Sequence, residues 1–282
     1  MYFTKMQANG NDYIYMDLHD QLLPDPARAA ARLSHRHFGV GGDGLVLLCP
    51  SDRADFRMRI FDPDGTEAEM CGNALMSAGA LFALSGRTRK SRLTVETLAG
   101  DRQVFLTRDG GGIREVSAEI GAPHVRFDRR EETVCGKQLS LTSLSFGNPH
   151  CVVLTEDLSD EAFFTLGPAL ESHPLFPERT NVEFLCAADP HRLRMRTWER
   201  GCGETLSCAT GSAAGVVAAT LAGKANGDAA VLQRGGSIRA RWDRERDSVR
   251  IFGQTRVVFT GSLPESSLSG TETEETIPGL FI

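Results

Sequence analysis

The feature that most limits what this 282-residue chain can fold into is that the chain repeats itself. Slid by 137 residues, the separation of Cys71 and Cys208, the sequence meets itself without a gap. Gly10-Asn11 falls on Gly147-Asn148, and the apolar run Leu45 to Cys49 falls on Val182 to Cys186. Arg57-Met58-Arg59 lands on Arg194-Met195-Arg196, Asp62 on Glu199, Glu67 on Glu204 and Gly86 on Gly223. Two copies of one plan predict two similar lobes, each long enough to bury its own core. The N-terminal lobe is expected over residues 1–124 with Cys71, the C-terminal lobe over 125–262 with Cys208, and a polar tail over 263–282.

Within each copy, short runs such as Tyr13 to Met16, Phe56 to Phe61, Leu93 to Leu98, Leu193 to Trp198, Ser237 to Trp242 and Ser248 to Phe252 alternate or cluster apolar residues between turn signals, the pattern of strands. After each repeated cysteine stands a different pattern. Cys71 to Gly86 and Cys208 to Gly223 read as helices closed by a glycine, with no charged residue along either. A helix with no face suited to water is buried on every side, so strands must wrap around it. The fold class read from the residues is α+β: two pseudo-symmetric lobes, each a curled, mostly antiparallel sheet or barrel around a central buried helix, with a ligand site in the cleft between them. A second helix near Asp25 to Leu33, rich in Ala and Arg, is an outer element. Beyond Gly261 the composition turns to Ser, Thr and Glu, the signature of a mobile tail, with Ile277 to Ile282 as a segment able to dock.

Composition removes several function classes. A net charge of −6 with interspersed arginines gives no basic face for nucleic acid. No apolar run spans a bilayer, and the start Met1 to Lys5 lacks a secretory pattern, so a cytoplasmic location is expected. Seven cysteines, an odd number, argue against a disulfide framework. Four lysines (Lys5, Lys90, Lys137, Lys224) leave few candidates for a pyridoxal Schiff base, and no His or Cys pairing completes a zinc site.

Cys71 and Cys208 each precede a helix start, where unbonded N–H groups point outward and the helix dipole is positive. Such a site is expected to lower a thiol below its usual pKa of about 8.5. It also binds carboxylates through the N–H groups of Gly72, Asn73, Ala209 and Thr210. With both helices aimed at one cleft, a carboxylate is held from two sides while one thiol removes an α-proton and the other returns one to the opposite face. A cysteine beside an apolar helix is ordinarily a small buried hydrophobe, which remains the reading for Cys49 and Cys186. Repetition in register, with Gly-Asn and Ala-Thr following, reverses that weighting for Cys71 and Cys208. Two readings from other classes stay open on the residues alone: a thiol hydrolase pairing Cys71 or Cys208 with His150, and a non-catalytic amino-acid binding protein.

At these residues the chain resembles the diaminopimelate epimerase family, whose relatives include histidine racemase. The resemblance is carried by Lys5-Met6-Gln7-Ala8-Asn9-Gly10-Asn11-Asp12-Tyr13, Gly39 to Gly44, Asp64 to Asn73, Gly147-Asn148-Pro149-His150, Thr180 to Phe184 and Glu199 to Thr205. It implies an isomerase without cofactor, commonly a homodimer, acting on a small-molecule amino acid, with LL- to meso-diaminopimelate conversion for lysine biosynthesis as the first expectation. It also implies Cys71 and Cys208 as the catalytic pair. Asn11, Asp62, Asn148, Asn181, Glu199 and Arg200 then contact substrate, with Glu199 and Arg200 reading a distal ammonium and carboxylate. The family pattern has Asn at Asp62, Arg at Met76 and Gly at Ala209. A negative charge at Asp62 favours a distal cation, which keeps a single-centre, basic amino acid such as histidine as the alternative substrate.

Overall fold

A computed structural model of the protein describes residues 1–110 and 112–264. The tail expected over 263–282, including the Ile277 to Ile282 segment, lies outside the described residues from 265 onward. The first copy runs β1 (Tyr2–Ala8), β2 (Asn11–Asp17), α1 (Pro26–Ser34), β3 (Leu45–Cys49), β4 (Phe56–Phe61), β5 (Glu67–Ala68), α2 (Gly72–Leu84), β6 (Arg92–Glu96), β7 (Arg102–Asp109), β8 (Gly112–Gly121) and β9 (His124–Val134). The second runs β10 (Lys137–Ser145), β11 (Pro149–Leu154), α3 (Asp160–Glu171), β12 (Asn181–Asp189), β13 (Arg192–Glu199), β14 (Gly203–Thr205), α4 (Ala209–Leu221), β15 (Asp228–Gln233), β16 (Gly236–Asp243), β17 (Ser248–Gly253) and β18 (Arg256–Ser262).

The pairings duplicate strand for strand. β2 pairs β3 in parallel and β4 pairs β6 in parallel. Their counterparts β11 with β12 and β13 with β15 do the same. The other pairings are antiparallel, including β8 with β17, which stitches the copies across the pseudo-two-fold axis. The last strand of each copy is exchanged: β9 pairs β10 of the second copy, and β18 pairs β1 of the first. Each lobe therefore takes one strand from the other half of the chain.

The central helices behave as their lack of charge requires. Twelve of the thirteen α2 residues are buried, and eleven of thirteen in α4. Both helices end at a glycine in the left-handed region, Gly86 at φ +78° and Gly223 at φ +69°, a conformation other residues adopt at a cost. One shared core surrounds both helices, from Leu75, Val95 and Val104 on one side to Val217, Val231 and Ile251 on the other. The run Leu45–Leu48 is apolar without alternation because its two faces are both covered. Val46 and Leu48 face α2, whereas Leu45 and Leu47 join Ala29, Ala30 and Leu33 of the outer helix α1.

Helix α1 starts where the sequence indicates, with Asp25 accepting the Arg28 N–H at 3.0 Å and Pro26 in the first turn. Its counterpart α3, capped by Ser159 onto Ala162 N, was not expected from the sequence. Among the described residues no helix is long and apolar enough to cross a membrane.

Leu75 has no exposed surface in the middle of this shared core. Leu75→Ala is expected to cost about 2–5 kcal/mol of stability, read as a lower urea midpoint with an unchanged m-value. A midpoint within a few tenths of the parent's would contradict the two-sided burial of α2.

Candidate active site

Cys71 and Cys208 are the N-cap residues of α2 and α4, both with extended backbone, at φ −135° and −122°. The first hydrogen bonds of the helices, Leu75 N to Cys71 O and Ser212 N to Cys208 O, leave the first-turn N–H groups ahead of the i→i−4 ladder. The two helix starts abut. A Cβ built on Gly72 would lie 3.0 Å from Ala209 Cβ and 2.7 Å from Ile251 Cδ1, so only glycine fits at 72 without displacement. Ala209 lies in the helical first turn, and the replacement of glycine there leaves the helix start intact.

Around Cys71, the thiol donates to Asn11 Oδ1 at 3.6 Å. The N–H groups of Asn73 and Ala74 and the Tyr13 phenol also turn toward its sulfur. Around Cys208, Gly211 N–H reaches the sulfur at 3.3 Å and the Thr210 hydroxyl lies 3.6 Å away. Asn148 Nδ2 donates to that same hydroxyl at 3.1 Å. The Cys208 backbone is clamped: Gln233 Oε1 accepts its N–H at 2.8 Å, and Ser212 Oγ donates to its carbonyl at 2.8 Å. Gln233 Nε2 closes the loop onto Ser212 Oγ at 2.9 Å.

The thiols do not ionise as a helix N-terminus alone would dictate. Burial, with Glu199 nearby, pushes Cys71 up to about 11 despite the N–H groups facing it. Cys208 is pushed well above the ordinary thiol value by burial and by Glu199 and Glu183. The expectation of a lowered thiol pKa is thus corrected: desolvation outweighs the dipole here.

The remaining residues singled out in the sequence converge on the same place. Asn181 is buried, its Oδ1 accepting Arg200 N at 2.9 Å and its Nδ2 donating to Pro149 O at 3.0 Å. Glu199 accepts from Thr205 Oγ1 at 2.6 Å, and burial raises its pKa. The Arg200 guanidinium reaches across to Glu69 at 3.8 Å and to Glu178 O at 3.4 Å rather than pairing with Glu199. Asp62 lies within the field of Arg200, yet burial and the carboxylates of Asp64 and Glu69 push it up to about 6. Asn73 is buried, and its Oδ1, like that of Asn148, has no partner among the described residues.

His150, which the sequence offered as a thiol partner, pairs instead with a group that sequence reasoning missed: its Nδ1 and Glu183 Oε1 are 2.8 Å apart with neither side chain exposed. Glu171 is buried and receives Gly201 N–H at 2.6 Å, Arg179 at 2.5 Å and the Trp198 indole at 2.9 Å, fixing the turn that carries Arg200. Glu183 had a signal, a charge inside the apolar run Val182 to Cys186. Glu171 had none. Among the described residues no group of three or more His, Cys, Asp or Glu is gathered to hold a metal.

This geometry meets its relatives in the sequence. The profile described as Diaminopimelate epimerase matches residues 3–125 and 142–259. The chain belongs to the diaminopimelate epimerase family. A protein named diaminopimelate epimerase from Acetivibrio thermocellus is 40% identical over 280 residues, covering 95% of this chain and 100% of that protein. One of the same name from Phocaeicola vulgatus is 41% identical over 272 residues, covering 93% and 97%. Among solved structures, a probable proline racemase from Agrobacterium radiobacter superposes with a TM-score of 0.73 at 16% identity, covering 93% of this chain and 92% of that one. A Bacillus anthracis phenazine biosynthesis protein of the PhzF family does so at 0.70 and 19%, covering 94% and 99%. These structures share the two-lobed fold. As a member of the epimerase family the protein is an isomerase, which removes the thiol-hydrolase and binding-protein readings.

The raised Asp62 carboxyl yields a stability prediction with a definite sign. A carboxyl whose folded pKa lies above its unfolded value contributes stability in full below about pH 4 and loses it as the pH rises through about 6. Asp62→Asn is therefore expected to raise Tm near pH 7.5, with the gain shrinking toward pH 4. Thermal scans showing an equal gain at both pH values would contradict this.

Proposed function

We propose that Cys71 and Cys208 are the two acid–base groups of a cofactor-independent epimerisation at the α-carbon of an amino acid, with diaminopimelate as substrate. In one direction the Cys71 thiolate removes the α-proton and the Cys208 thiol protonates the opposite face; in reverse the roles exchange. The electron pair left on the α-carbon delocalises into the substrate carboxylate, and no electrons leave the molecule. The observation that carries this reading is that the two cysteines occupy one repeat position at the caps of two buried helices whose first residues touch at Gly72 and Ala209. The N–H groups of Gly72, Asn73, Ala209 and Thr210 are the donors for the carboxylate, and they stabilise the charge that grows on it.

Burial and Glu199 hold both thiols protonated in the free site. A substrate α-ammonium brought beside them supplies the opposite charge and makes the thiolate less costly. The unpartnered Oδ1 atoms of Asn73 and Asn148 are acceptors suited to that ammonium. Asn11, Asn181, Glu199 and Arg200 then contact the rest of the substrate, Arg200 with the distal carboxylate and Glu199 with the distal ammonium.

Asp62 favours a second reading of the substrate. A carboxyl already pressed by Asp64 and Glu69 gains most from a cation, which a basic single-centre amino acid such as histidine provides. Incubation in D2O with LL-diaminopimelate, L-histidine and a panel of other L-amino acids, followed by NMR, separates the two. Deuterium is expected at the α-carbon of diaminopimelate, with formation of the meso isomer. Exchange confined to histidine transfers the assignment to the second reading, and exchange with none sinks the two-base scheme. Cys71→Ala and Cys208→Ala are each expected to lower epimerisation by more than about a thousandfold.

We also assign a second copy of the chain as partner. Strand β18 pairs β1 along one edge, and Val257, Val258 and Phe259 on it are 44%, 55% and 46% exposed. Exposed apolar side chains on a sheet edge are a surface for self-association. Sedimentation is expected to give a dimer, and Phe259→Lys a monomer; a monomeric parent protein at micromolar concentration would end this assignment.

A further inference from the structure

The Asn11 side chain cannot choose which end it shows to Cys71. Its Nδ2 lies 2.8 Å from Asp43 Oδ2, and the same oxygen accepts the Asp12 N–H at 2.9 Å. A carboxylate offers only acceptors, so the amide must present its donor end to Asp43. Its oxygen is then turned to the Cys71 sulfur at 3.6 Å, where it can accept a thiol proton and cannot stabilise a thiolate.

Asp43 itself is held firmly. Arg36 Nη2 donates to its Oδ1 at 2.8 Å, and its own N–H donates to Asp12 O at 2.7 Å. Asp12 is tied in turn to Arg36 at 2.8 Å and to the buried Lys5 at 2.5 Å. Lys5 also donates to Gly41 O, closing the 41–44 loop onto β1. The second copy lacks this device. Thr180 stands where the repeat places Asp43, and Asn148 Nδ2 turns to the Thr210 hydroxyl instead.

We propose that Asp43 is the positioning residue for Cys71: it locks the Asn11 amide with its acceptor toward the thiol and so helps to hold the proton on the Cys71 sulfur. The effect runs through Asn11 and not through the Asp43 charge. The groups that act on the Cys71 sulfur are Asn11, the Tyr13 phenol, the N–H groups of Asn73 and Ala74 and, through its charge, Glu199 from β13. Those that face Asp43 are Arg36, the Asn11 amide and the Asp12 N–H.

The inference rests on the assignment of Cys71 as an acid–base group, but its test reads the ionisation of the thiol itself and needs no substrate. The rate of iodoacetamide alkylation of Cys71 in the full-length protein is followed against pH, with the Cys71 and Cys208 peptides quantified by mass spectrometry. Asp43→Ala frees the amide to turn its N–H to the sulfur. The midpoint of the Cys71 profile is then expected to move to lower pH, with alkylation at pH 8 about threefold to tenfold faster. Asn11→Ala is expected to move the midpoint in the same direction, and adding Asp43→Ala to it is expected to change nothing further. The Cys208 profile stays in place throughout. An unmoved midpoint in either single variant overturns the proposal, as does an equal second shift in the double variant, which would make the effect one of charge alone. A faster plateau with an unmoved midpoint would show loosening of the site and also overturns it. Absence of epimerisation in the parent protein, with these shifts intact, would fault the reaction assignment and leave the role of Asp43 standing.

Discussion

The abutting helix starts at Gly72 and Ala209 are the constraint on which the rest of the molecule depends. Two helices without a charged residue must be covered on every side. Their first-turn N–H groups have no intrahelical partners and cannot be sealed in an apolar core without cost. Pointing the two starts at one another across a pseudo-two-fold axis satisfies both demands. One shared core covers both helix bodies, while the N-terminal donors are brought side by side where Gly72 meets Ala209. The cross-axis pairing of β8 with β17 and the exchange of β9 and β18 fix the lobes in that relation.

That gathering sets two effects against each other at each sulfur. Donor N–H groups and the helix dipole favour a thiolate, whereas burial and the Glu199 carboxylate, joined at Cys208 by Glu183, favour the thiol. Dipole contributions at a helix terminus are of order 0.3–1 kcal/mol when exposed, and withdrawal of a charge from water costs more. Burial wins, so the same enclosure that would shield a carbanion in the proposed reaction also keeps both thiols protonated. A positively charged substrate group is the natural means of reversing that balance.

How much of this was legible in the sequence follows from what repeats and what does not. The duplicated Arg and Glu positions are duplicated ion pairs, Arg59 with Glu67 at 2.7 Å and Arg196 with Glu204 at 2.9 Å. The helices α2 and α4 begin at the residues after the repeated cysteines because an uncharged run ending in glycine has few other ways to fold. Helix α3 was not legible: Pro168 lies inside it, and its α1 counterpart has a different residue pattern. The exposed strand β9 carries charges on both faces and gives no alternation to read. The ionisation of the thiols was missed because it depends on how deeply each sulfur is enclosed and which carboxylates stand near it, and both are products of tertiary packing. The partnering of Glu171 with Gly201, Arg179 and Trp198 is invisible for the same reason.

The two copies have kept their backbone plan and diverged in what surrounds each sulfur. Tyr13 stands where the second copy has His150, Asp43 where it has Thr180, Val46 where it has Glu183 and Glu96 where it has Gln233. The backbone equivalence is what a proton exchange between opposite faces of one carbon demands, since either group must act as donor or acceptor according to direction. The side-chain divergence is what the substrate demands. An amino acid whose α-carbon lies on the pseudo-axis has a carboxylate both helices can share, but its ammonium and its distal end break the symmetry. In the proposed reading the distal end is assigned to the repeat mates Asp62 and Glu199, one carboxyl from each lobe, with Arg200 in the field of Asp62. On that reading a symmetric scaffold handles the part of the reaction that is symmetric, and the residues that differ between its halves are assigned to telling one end of the substrate from the other.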